Sequence, residues 1–259
     1  NESIKSSEPF KGLYTQGMVC HETYRDEDNK WLSPDEIEKN KEGKFIIKKN
    51  KKNVKIGPSE SMSKSKKNTI DPENMIKVYG ADAVRFFILS DSPPNKDVQW
   101  SNQGVSSANK FLQKIWALNE VILNLPPAVN PKTTVDESNF NKEINNYLNK
   151  ITNLIESFQF NVVIANIYEM HKLINVALQK KLSKKCIMEN FISFIKVSSP
   201  IIPHLAAECL EKLGSNKNSW PEINKSLVSE ANIKLAIQIN GKTRIILELP
   251  RDKDKDDVM

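Results

Sequence analysis

The amino-acid sequence predicts a mainly α protein, in which a helical bundle is preceded by a short α/β segment and followed by a β-hairpin. Three observations carry this prediction. From Ser101 onward, apolar residues recur every three or four positions over four successive stretches, as they do on amphipathic helices. Before Ser101, short apolar segments alternate with turn-forming residues. After residue 231, apolar and polar residues alternate as they do in strands.

The composition excludes several classes of protein. The chain has 259 residues, of which 39% are hydrophobic and 27% are charged. No window approaches the ~18 apolar residues of a membrane span, and NESIKSSEPFKG has no apolar core that could serve as a signal peptide. The chain begins without Met, so we expect it to be a piece of a longer protein. A net charge of +6 permits an anionic partner without identifying one.

The cysteines and histidines are scattered along the chain. They are Cys20, Cys186 and Cys209, with His21, His171 and His204. The cysteines lack CxxC spacing, which indicates reduced thiols in a cytosolic protein. We therefore expect no metal site in this chain and a structural role for each histidine.

The first 60 residues predict a small α/β insert. Leu13–Val19 is typical of a strand or strand end, and Ser33 followed by Pro34 and acidic residues predicts a helix start. KFIIKKNKKNVKI predicts two short strands around a basic turn, with Gly57-Pro58 as the stop. The run from Lys48 to Lys55 is typical of a solvated hairpin tip, and contact with nucleic acid is the alternative.

Two short helices are predicted next. Asp71 is an N-cap, Pro72 occupies the first helical position and Gly80 ends the first helix. The second helix begins in ADAVRFFILS. Its predicted apolar face consists of Val84, Phe87 and Ile88.

Apolar stripes then predict four longer helices. The first stripe is Phe111, Ile115, Leu118, Ile122 and Leu125, and the second is Phe140, Ile144, Leu148, Ile151, Ile155 and Phe158. The third is Phe160, Ile164, Ile167, Met170, Ile174 and Leu178, and the fourth is Ile187, Phe191, Phe194 and Ile195. Pro200 and Pro203 break and restart the last helix before Gly214 ends it. Helices joined by short connections form a bundle, so these positions are its core.

The end of the chain predicts a β-hairpin. IKLAIQINGKTRIILEL alternates around Asn240-Gly241, a two-residue turn in which both residues accept positive φ. The residues predicted to share one apolar face are Ile233, Leu235, Ile237 and Ile239. A lone hairpin with one apolar face is not stable by itself, so we expect the last domain to be truncated.

The loop SMSKSKKN, followed by IDPENMIKVYGADAVRFFIL, resembles the KMSKS loop and following helix of class I aminoacyl-tRNA synthetases. SPPNKDVQWSNQGVSSANKFLQKIW and PFKGLYTQGMV are similar to the leucyl branch, and the insert between Val19 and Gly57 resembles its leucine-specific domain. SSPIIPHLAAECLEKLG with SWP resembles the end of the anticodon-binding bundle, and IQINGKTR the start of the C-terminal tRNA-binding domain. The motifs follow the family's order over nearly the whole chain.

The resemblance implies five parts. Residues 1–19 end a Rossmann-type catalytic domain, 20–57 form the leucine-specific-type insert and 58–105 contain the KMSKS loop and stem-contact region. Residues 106–225 form the anticodon-binding bundle, and 226–259 begin the truncated C-terminal tRNA-binding domain. The HIGH-type motif and the inserted editing domain are absent, which is consistent with a carboxy-terminal fragment of a much larger enzyme.

The resemblance also implies the function. The full protein would activate leucine with ATP, accompanied by Mg²⁺, and transfer it to leucine tRNA. The isolated fragment is expected to be inactive, because the HIGH-side half of the nucleotide fold is missing. We expect a cytoplasmic monomer without membrane contact. The alternatives are the valyl or isoleucyl branch, which shares the loop and YGADA, and a non-catalytic RNA-binding helical module. An upstream HIGH-type motif would separate an enzyme from such a module.

The resemblance implies specific roles for the residues of the loop. Lys64 matches the second lysine of the motif and is expected to stabilise charge that develops on the phosphates in the transition state. Met62, Ser63 and Ser65 complete the expected ATP-binding loop, where small hydroxyl groups can donate hydrogen bonds. Ser61 replaces the first lysine of the motif, which leaves Lys64, Lys66 and Lys67 as the positive charges of the loop.

Further site residues are expected beside the ATP site and on the surface that contacts tRNA. Gln16, Gly17 and Met18 match the strand end beside the ATP site, although packing alone is the alternative. The residues expected to contact tRNA are Lys66, Lys67, Arg85, Trp100, Lys110 and Lys114. For Trp100 the alternative is a core anchor, and for Arg85 and the two helical lysines it is a solvated helix face. Contacts of the basic side chains with phosphates would be salt-dependent and would not read sequence.

Overall fold

The computed structural model of the chain describes Phe10 and residues 12–126, 134–215, 219–228, 232–239 and 242–250. These residues group into two compact units. The first is drawn from Asn1–Ala117, Ile155–Ala165 and Pro200–Leu205, and the second from Leu118–Leu154, Asn166–Ser199 and Ala206–Met259. Seven α-helices lie in the described ranges, which confirms the mainly α class. None of these helices is long and apolar enough to cross a membrane.

A small sheet begins the first unit. Its central strand β1 (Val19–Arg25) pairs antiparallel with the short β2 (Trp31–Leu32). On the edge of the sheet, β5 (Lys55–Ser61) also pairs antiparallel with β1. The last strand of this sheet, β6 (Val98–Gln99), pairs parallel with the start of β1.

The insert between β2 and β5 has its own small apolar cluster. A single 3₁₀ turn, Pro34–Glu36, leads directly into β3 (Ile37–Lys39), which pairs antiparallel with β4 (Phe45–Ile47). The predicted helix start is therefore correct in position but lasts one turn, because the next residues join a strand. The buried residues of the cluster are Tyr24, Leu32, Ile37 and Ile47, with Phe45 and Val54 packed against them.

Two strand predictions are wrong in part. Residues 12–18 form no strand, and the strand begins only at Val19, because Leu13 is 95% exposed and has no sheet to pack on. The two strands predicted around the basic turn are present as β4 and β5, but they do not pair as a hairpin. They take β3 and β1 as partners, and only an isolated bridge joins Ile46 to Asn53.

Gly57-Pro58 does not stop β5, contrary to the sequence prediction. Proline lacks a donor, but it is tolerated on an edge strand, and β5 lies at the edge of its sheet. The register of β1 against β5 shifts between Glu22 and Thr23, and Thr23 Oγ1 donates to the Pro58 carbonyl at 3.0 Å. This irregularity lets the strand continue to Ser61.

The two short helices have the predicted ends. Helix α1 (Pro72–Tyr79) begins after Asp71, whose side chain accepts the Glu73 N–H at 3.0 Å, and ends at Gly80 with φ 84°. Helix α2 (Ala81–Asp91) follows at once. Its predicted face is only partly correct, since Val84 and Ile88 are half-buried. The buried residues of α2 are Asp82, Ala83, Phe86 and Phe87.

The long helices follow the predicted stripes. They are α3 (Asn102–Leu123), α4 (Thr134–Glu156), α5 (Phe160–Gln179), α6 (Lys184–Ser198) and α7 (Pro203–Lys212). The helix break between Pro200 and Pro203 and the stop at Gly214, with φ 67°, are confirmed. Phe158 departs from its stripe, because it lies beyond α4 with φ 57° and is 47% exposed. Most other stripe positions are buried, as predicted for a helical core.

The hairpin is also present. Strand β7 (Asn232–Ile239) pairs antiparallel with β8 (Lys242–Pro250), with a register shift after Ile237. The predicted turn, Asn240-Gly241, and the predicted apolar face of β7 lie outside the residues and side chains that the structure describes.

Candidate functional site

The loop predicted from SMSKS and the segment before β6 both contact the start of β1. Met62 N–H, at the start of the loop, donates to the Val19 carbonyl at 3.1 Å, next to the pair formed by Cys20 and Ser61. The segment before β6 closes the other side, because Gly17 N–H donates to the Pro94 carbonyl at 2.8 Å. Residues 16–19 therefore lie beside the start of the loop, as the resemblance implied, and also beside the segment before β6.

The loop itself forms a compact turn after β5. Lys67 N–H donates to the Lys64 carbonyl at 3.2 Å, and Lys67 has φ 53°, in the left-handed region. The hydroxyl groups of Ser63 and Ser65 lie 3.2 Å apart, and Ser63 Oγ accepts the Lys66 N–H at 3.3 Å. The serines therefore stabilise the turn in this conformation.

Asn68 is the residue at the base of the loop. It is fully buried, and its Oδ1 accepts the Ser63 N–H at 2.8 Å. Its Nδ2 donates to the Glu60 carbonyl at 3.1 Å and to the His21 carbonyl at 3.2 Å. One side chain thus joins β1, the end of β5 and the first residues of the loop.

The three loop lysines have different surroundings. Lys66 forms an ion pair with Glu60, and Lys67 Nζ lies 3.4 Å from Glu36 Oε2 in the insert. Hydrogen bonds from the Ser33 N–H and hydroxyl, and then the charge of Lys67, hold the pKa of Glu36 below its usual value. This carboxylate therefore stays charged beside the lysine. Lys64 is exposed, and no carboxylate among the described residues forms an ion pair with it.

Gly17 marks a close approach between two backbone segments. A Cβ atom at this position would lie 2.1 Å from the Lys96 carbonyl oxygen. Its neighbour Met18 donates its N–H to Asp97 Oδ1 at 2.8 Å and accepts the Val98 N–H at 2.9 Å. Gln16 and Met18 have exposed side chains, and those of Met62 and Ser63 are half-buried.

Arg85 and Trp100 are engaged inside the first unit. Arg85 donates to the carbonyls of Ile201, at 3.1 Å, and Pro200, at 2.7 Å. The Trp100 ring packs edge-on against Phe87 with a centroid distance of 5.5 Å, and its indole N–H donates to Asn102 Oδ1 at 2.8 Å. These contacts give both Arg85 and Trp100 a structural role. Whether either also contacts tRNA stays a prediction.

Lys110 and Lys114 are exposed and lie one turn apart on α3, on a surface that an anionic ligand could reach. No group of three or more His, Cys, Asp or Glu side chains in the described ranges could hold a metal ion. The cysteines are free and buried. Burial raises the pKa of Cys186 to about 11 and that of Cys209 to about 12, so both are thiols at neutral pH.

Sequence analysis missed the supports of the loop. The sequence assigned no role in the loop to Glu36, Glu60 or Asn68. Their roles depend on strand pairing, which brings residues far apart in sequence together. A weak signal was available for Asn68, since Asn is favoured where a turn needs a local side-chain acceptor.

The chain is similar in sequence to known tRNA ligases. The family model "Anticodon-binding domain of tRNA ligase" matches residues 137–259. The model "tRNA synthetases class I (I, L, M and V)" matches residues 55–101, which contain the loop, α1 and α2. Leucine–tRNA ligase of Hyphomonas neptunium (strain ATCC 15444) is 38% identical over 259 residues, which cover 98% of this chain and 30% of that protein.

Similarity to leucine–tRNA ligases extends over nearly the whole chain. Leucine–tRNA ligase of Rhodopseudomonas palustris (strain TIE-1) is 40% identical over 265 residues, which cover 96% of this chain. The chain spans about 30% of the length of these curated relatives. The leucyl branch predicted from the sequence is therefore confirmed.

A solved structure has a similar fold. It is the ternary complex of the Agrobacterium radiobacter K84 agnB2 LeuRS with tRNA and LeuAMS. The TM-score is 0.66 at 24% identity, over 98% of this chain and 29% of that one. At this identity the likeness shows the fold alone.

Proposed function

We propose that this chain is the part of a leucine–tRNA ligase that supplies the KMSKS-type loop and the tRNA-binding helices. The whole protein activates leucine with ATP and transfers it to leucine tRNA. The similarity to leucine–tRNA ligases over 98% of the chain supports this assignment. We also propose the domain boundaries given by the resemblance: 1–19, 20–57, 58–105, 106–225 and 226–259. The free, buried cysteines are consistent with a cytoplasmic protein.

Lys64 is the proposed catalytic residue of the loop. The observation that carries this assignment is the difference among the lysines: Lys66 and Lys67 already face carboxylates, whereas Lys64 is exposed. In leucine activation, the carboxylate attacks the α-phosphate of ATP and pyrophosphate leaves with growing negative charge. A lysine brought to that charge stabilises the transition state more than the ground state.

The remaining ATP-binding assignments follow from proximity. Gln16, Gly17 and Met18 lie beside the start of the loop, where Met62 bonds to Val19. Ser63 and Ser65 have hydroxyl groups that can exchange their present contact for one with phosphate oxygens. Mg²⁺ is expected to arrive with ATP, and we assign no residue of this chain to it.

Leucine tRNA is the proposed macromolecular partner, and the protein is proposed to act as a monomer. Lys110 and Lys114 are the helical residues best placed for phosphate contacts, because both side chains are exposed. Lys66 and Lys67 could also contact tRNA, but only after leaving Glu60 and Glu36. Arg85 and Trp100 would have to combine tRNA contact with the internal hydrogen bonds that they already form.

The test compares single alanine variants of the three loop lysines in the full-length gene product. Leucine-dependent pyrophosphate exchange measures activation. Lys64→Ala is expected to lower kcat on the order of a hundredfold or more, as loss of one preorganised donor typically does, with a smaller change in KM for ATP. Lys67→Ala is the matched control and should have a small effect, because its ion pair is half-exposed.

Ser61→Lys, which restores the family residue, should stay near wild type, since this chain functions with serine there. If Lys64→Ala kept most of its exchange rate while Lys66→Ala or Lys67→Ala abolished it, the catalytic lysine would be assigned to the wrong position. If the wild-type gene product showed no leucine-dependent exchange, the proposed enzyme function itself would be refuted.

A further inference from the structure

We propose that Asn68 is a positioning residue for Lys64, holding the loop where the lysine can reach the phosphates. This inference rests on the proposed function of the loop. It assigns a role to a buried side chain that touches neither Lys64 nor a substrate site directly. Asn68 is completely hydrogen-bonded, lies between three chain segments and supports a strained turn.

The side-chain amide of Asn68 forms hydrogen bonds through both its oxygen and its nitrogen. Its oxygen accepts the Ser63 N–H at 2.8 Å, and its nitrogen donates to the carbonyls of Glu60 and His21. The Ser61 carbonyl lies at 3.5 Å from the same nitrogen. Because Asn68 is fully buried, water does not compete for these bonds. An alanine here would leave the partly buried Ser63 N–H and the partly buried carbonyls of Glu60 and His21 with fewer partners.

The bond to Ser63 fixes the residue directly before Lys64. The Cα position of Lys64 and the direction of its side chain depend on that backbone. The same turn contains Lys67 with φ 53°, a conformation that a residue with a Cβ adopts only when its surroundings impose it. Asn68 is the next residue, so its anchoring to β1 and β5 holds this conformation in place.

The other supports of the loop are weaker. The ion pair of Lys67 with Glu36 is about half-exposed on both sides, and that of Lys66 with Glu60 is about one-third exposed. Ion pairs open to solvent contribute little to holding a fixed geometry. After the backbone bond from Met62 N–H to the Val19 carbonyl, the buried amide of Asn68 is therefore the side-chain contact that holds the first residues of the loop.

The experiment is a double-mutant cycle in the full-length gene product, read by leucine-dependent pyrophosphate exchange. Asn68→Ala is made alone and together with Lys64→Ala. Asn190→Ala is the matched control: Asn190 is also buried, and its Nδ2 donates to Asn141 Oδ1 at 2.6 Å in the second unit. Asn68→Asp separates the two functions of the amide: the side chain can still accept the Ser63 N–H, but it can no longer donate to the carbonyls of Glu60 and His21.

Alone, Asn68→Ala is expected to lower kcat by roughly tenfold to a hundredfold, the scale of losses caused by displacing a catalytic group by about 1 Å. KM for ATP should change by less than about threefold, because binding that does not depend on Lys64 is retained. In the Lys64→Ala background the same substitution should lower kcat by less than about twofold, since no lysine remains to position. Asn68→Asp should lower kcat at least as much as Asn68→Ala, because its second oxygen would face the carbonyls of Glu60 and His21 where an N–H now donates. Asn190→Ala should leave kcat near wild type.

Equal losses in both backgrounds would overturn the proposal, because Asn68 would then act independently of Lys64. So would an Asn68→Ala protein with wild-type kcat. A Lys64→Ala protein with unchanged kcat would instead refute the proposed role of Lys64, and the positioning role with it.

Hydrogen exchange of the wild-type protein is a second test, and it does not depend on whether the Asn68 variants fold. The Ser63 amide should exchange more slowly than the amides of Lys64 and Ser65, because it alone donates to buried Asn68. If all three exchanged equally fast, Asn68 would not hold the loop.

Discussion

Replacing Gly17 with alanine is expected to disrupt the junction between the residues before β1 and the segment before β6. The new Cβ would lie 2.1 Å from the carbonyl oxygen of Lys96, 2.2 Å from its carbonyl carbon and 2.7 Å from the Asp97 nitrogen. All three are backbone atoms, so no side chain can rotate away. The two segments must separate by more than about 1 Å before an ordinary contact distance is restored.

This separation sets the magnitude of the effect. Overpacking of one methyl group typically costs about 1–3 kcal/mol. The bond from Gly17 N–H to the Pro94 carbonyl and that from Val98 N–H to the Met18 carbonyl would be stretched, and each hydrogen bond contributes about 0.5–1.5 kcal/mol. We therefore expect the free energy of unfolding of the first unit to fall by about 2–4 kcal/mol.

The fall in the free energy of unfolding is measured by urea titration, with hydrogen exchange of the β1 amides at residues 19–25 as the local probe. With a slope near 2 kcal/mol/M, the midpoint should fall by about 1–2 M. Gly12→Ala is the matched control, because a Cβ at Gly12 meets no atom within 4 Å. Gly12→Ala should be neutral or stabilise the chain by about 0.4–1 kcal/mol. Equal midpoints for the two variants would show that the close approach at Gly17 is not a constraint.

Two further predictions concern stability. Asp82→Ala should lower the free energy of unfolding by about 1–2 kcal/mol in urea titrations, because its carboxylate accepts the Leu205 N–H at 2.7 Å in the first turn of α7. His204→Ala should cost less than about 0.5 kcal/mol, since that side chain is 76% exposed, and an equal loss would contradict the capping role. Burial lowers the pKa of His21 below its ordinary 6.5, so the unfolded chain binds this proton more readily and stability is lost as the pH falls below about 6.5. Between pH 7.5 and 5.5, His21→Gln should lose less stability than wild type, and identical losses would exclude His21 as a cause.

Much of the helical part could be read from the sequence because its signals are local. Asp71 and Gly80 bound α1 as predicted, since a cap needs only the backbone within a turn of itself. The stripes through α3 to α6 appear as buried residues because a helix places every third or fourth side chain on one face whatever it packs against. The motif around SMSKS indicated class I aminoacyl-tRNA synthetases, and PFKGLYTQGMV the leucyl branch, for a similar reason, since the residues of each motif are contiguous.

The tertiary structure decided which segments meet. Sequence alone paired β4 with β5 because they are adjacent in the chain, whereas the folded protein pairs β5 with β1, across the insert. That pairing places the Ser63 N–H against the amide of Asn68, Lys66 against Glu60 and Lys67 against Glu36. Strand pairing and buried hydrogen bonds depend on residues distant in sequence, whose choice follows from packing the whole unit. The identity of the loop therefore lies in its own residues, while its geometry is set by residues outside it.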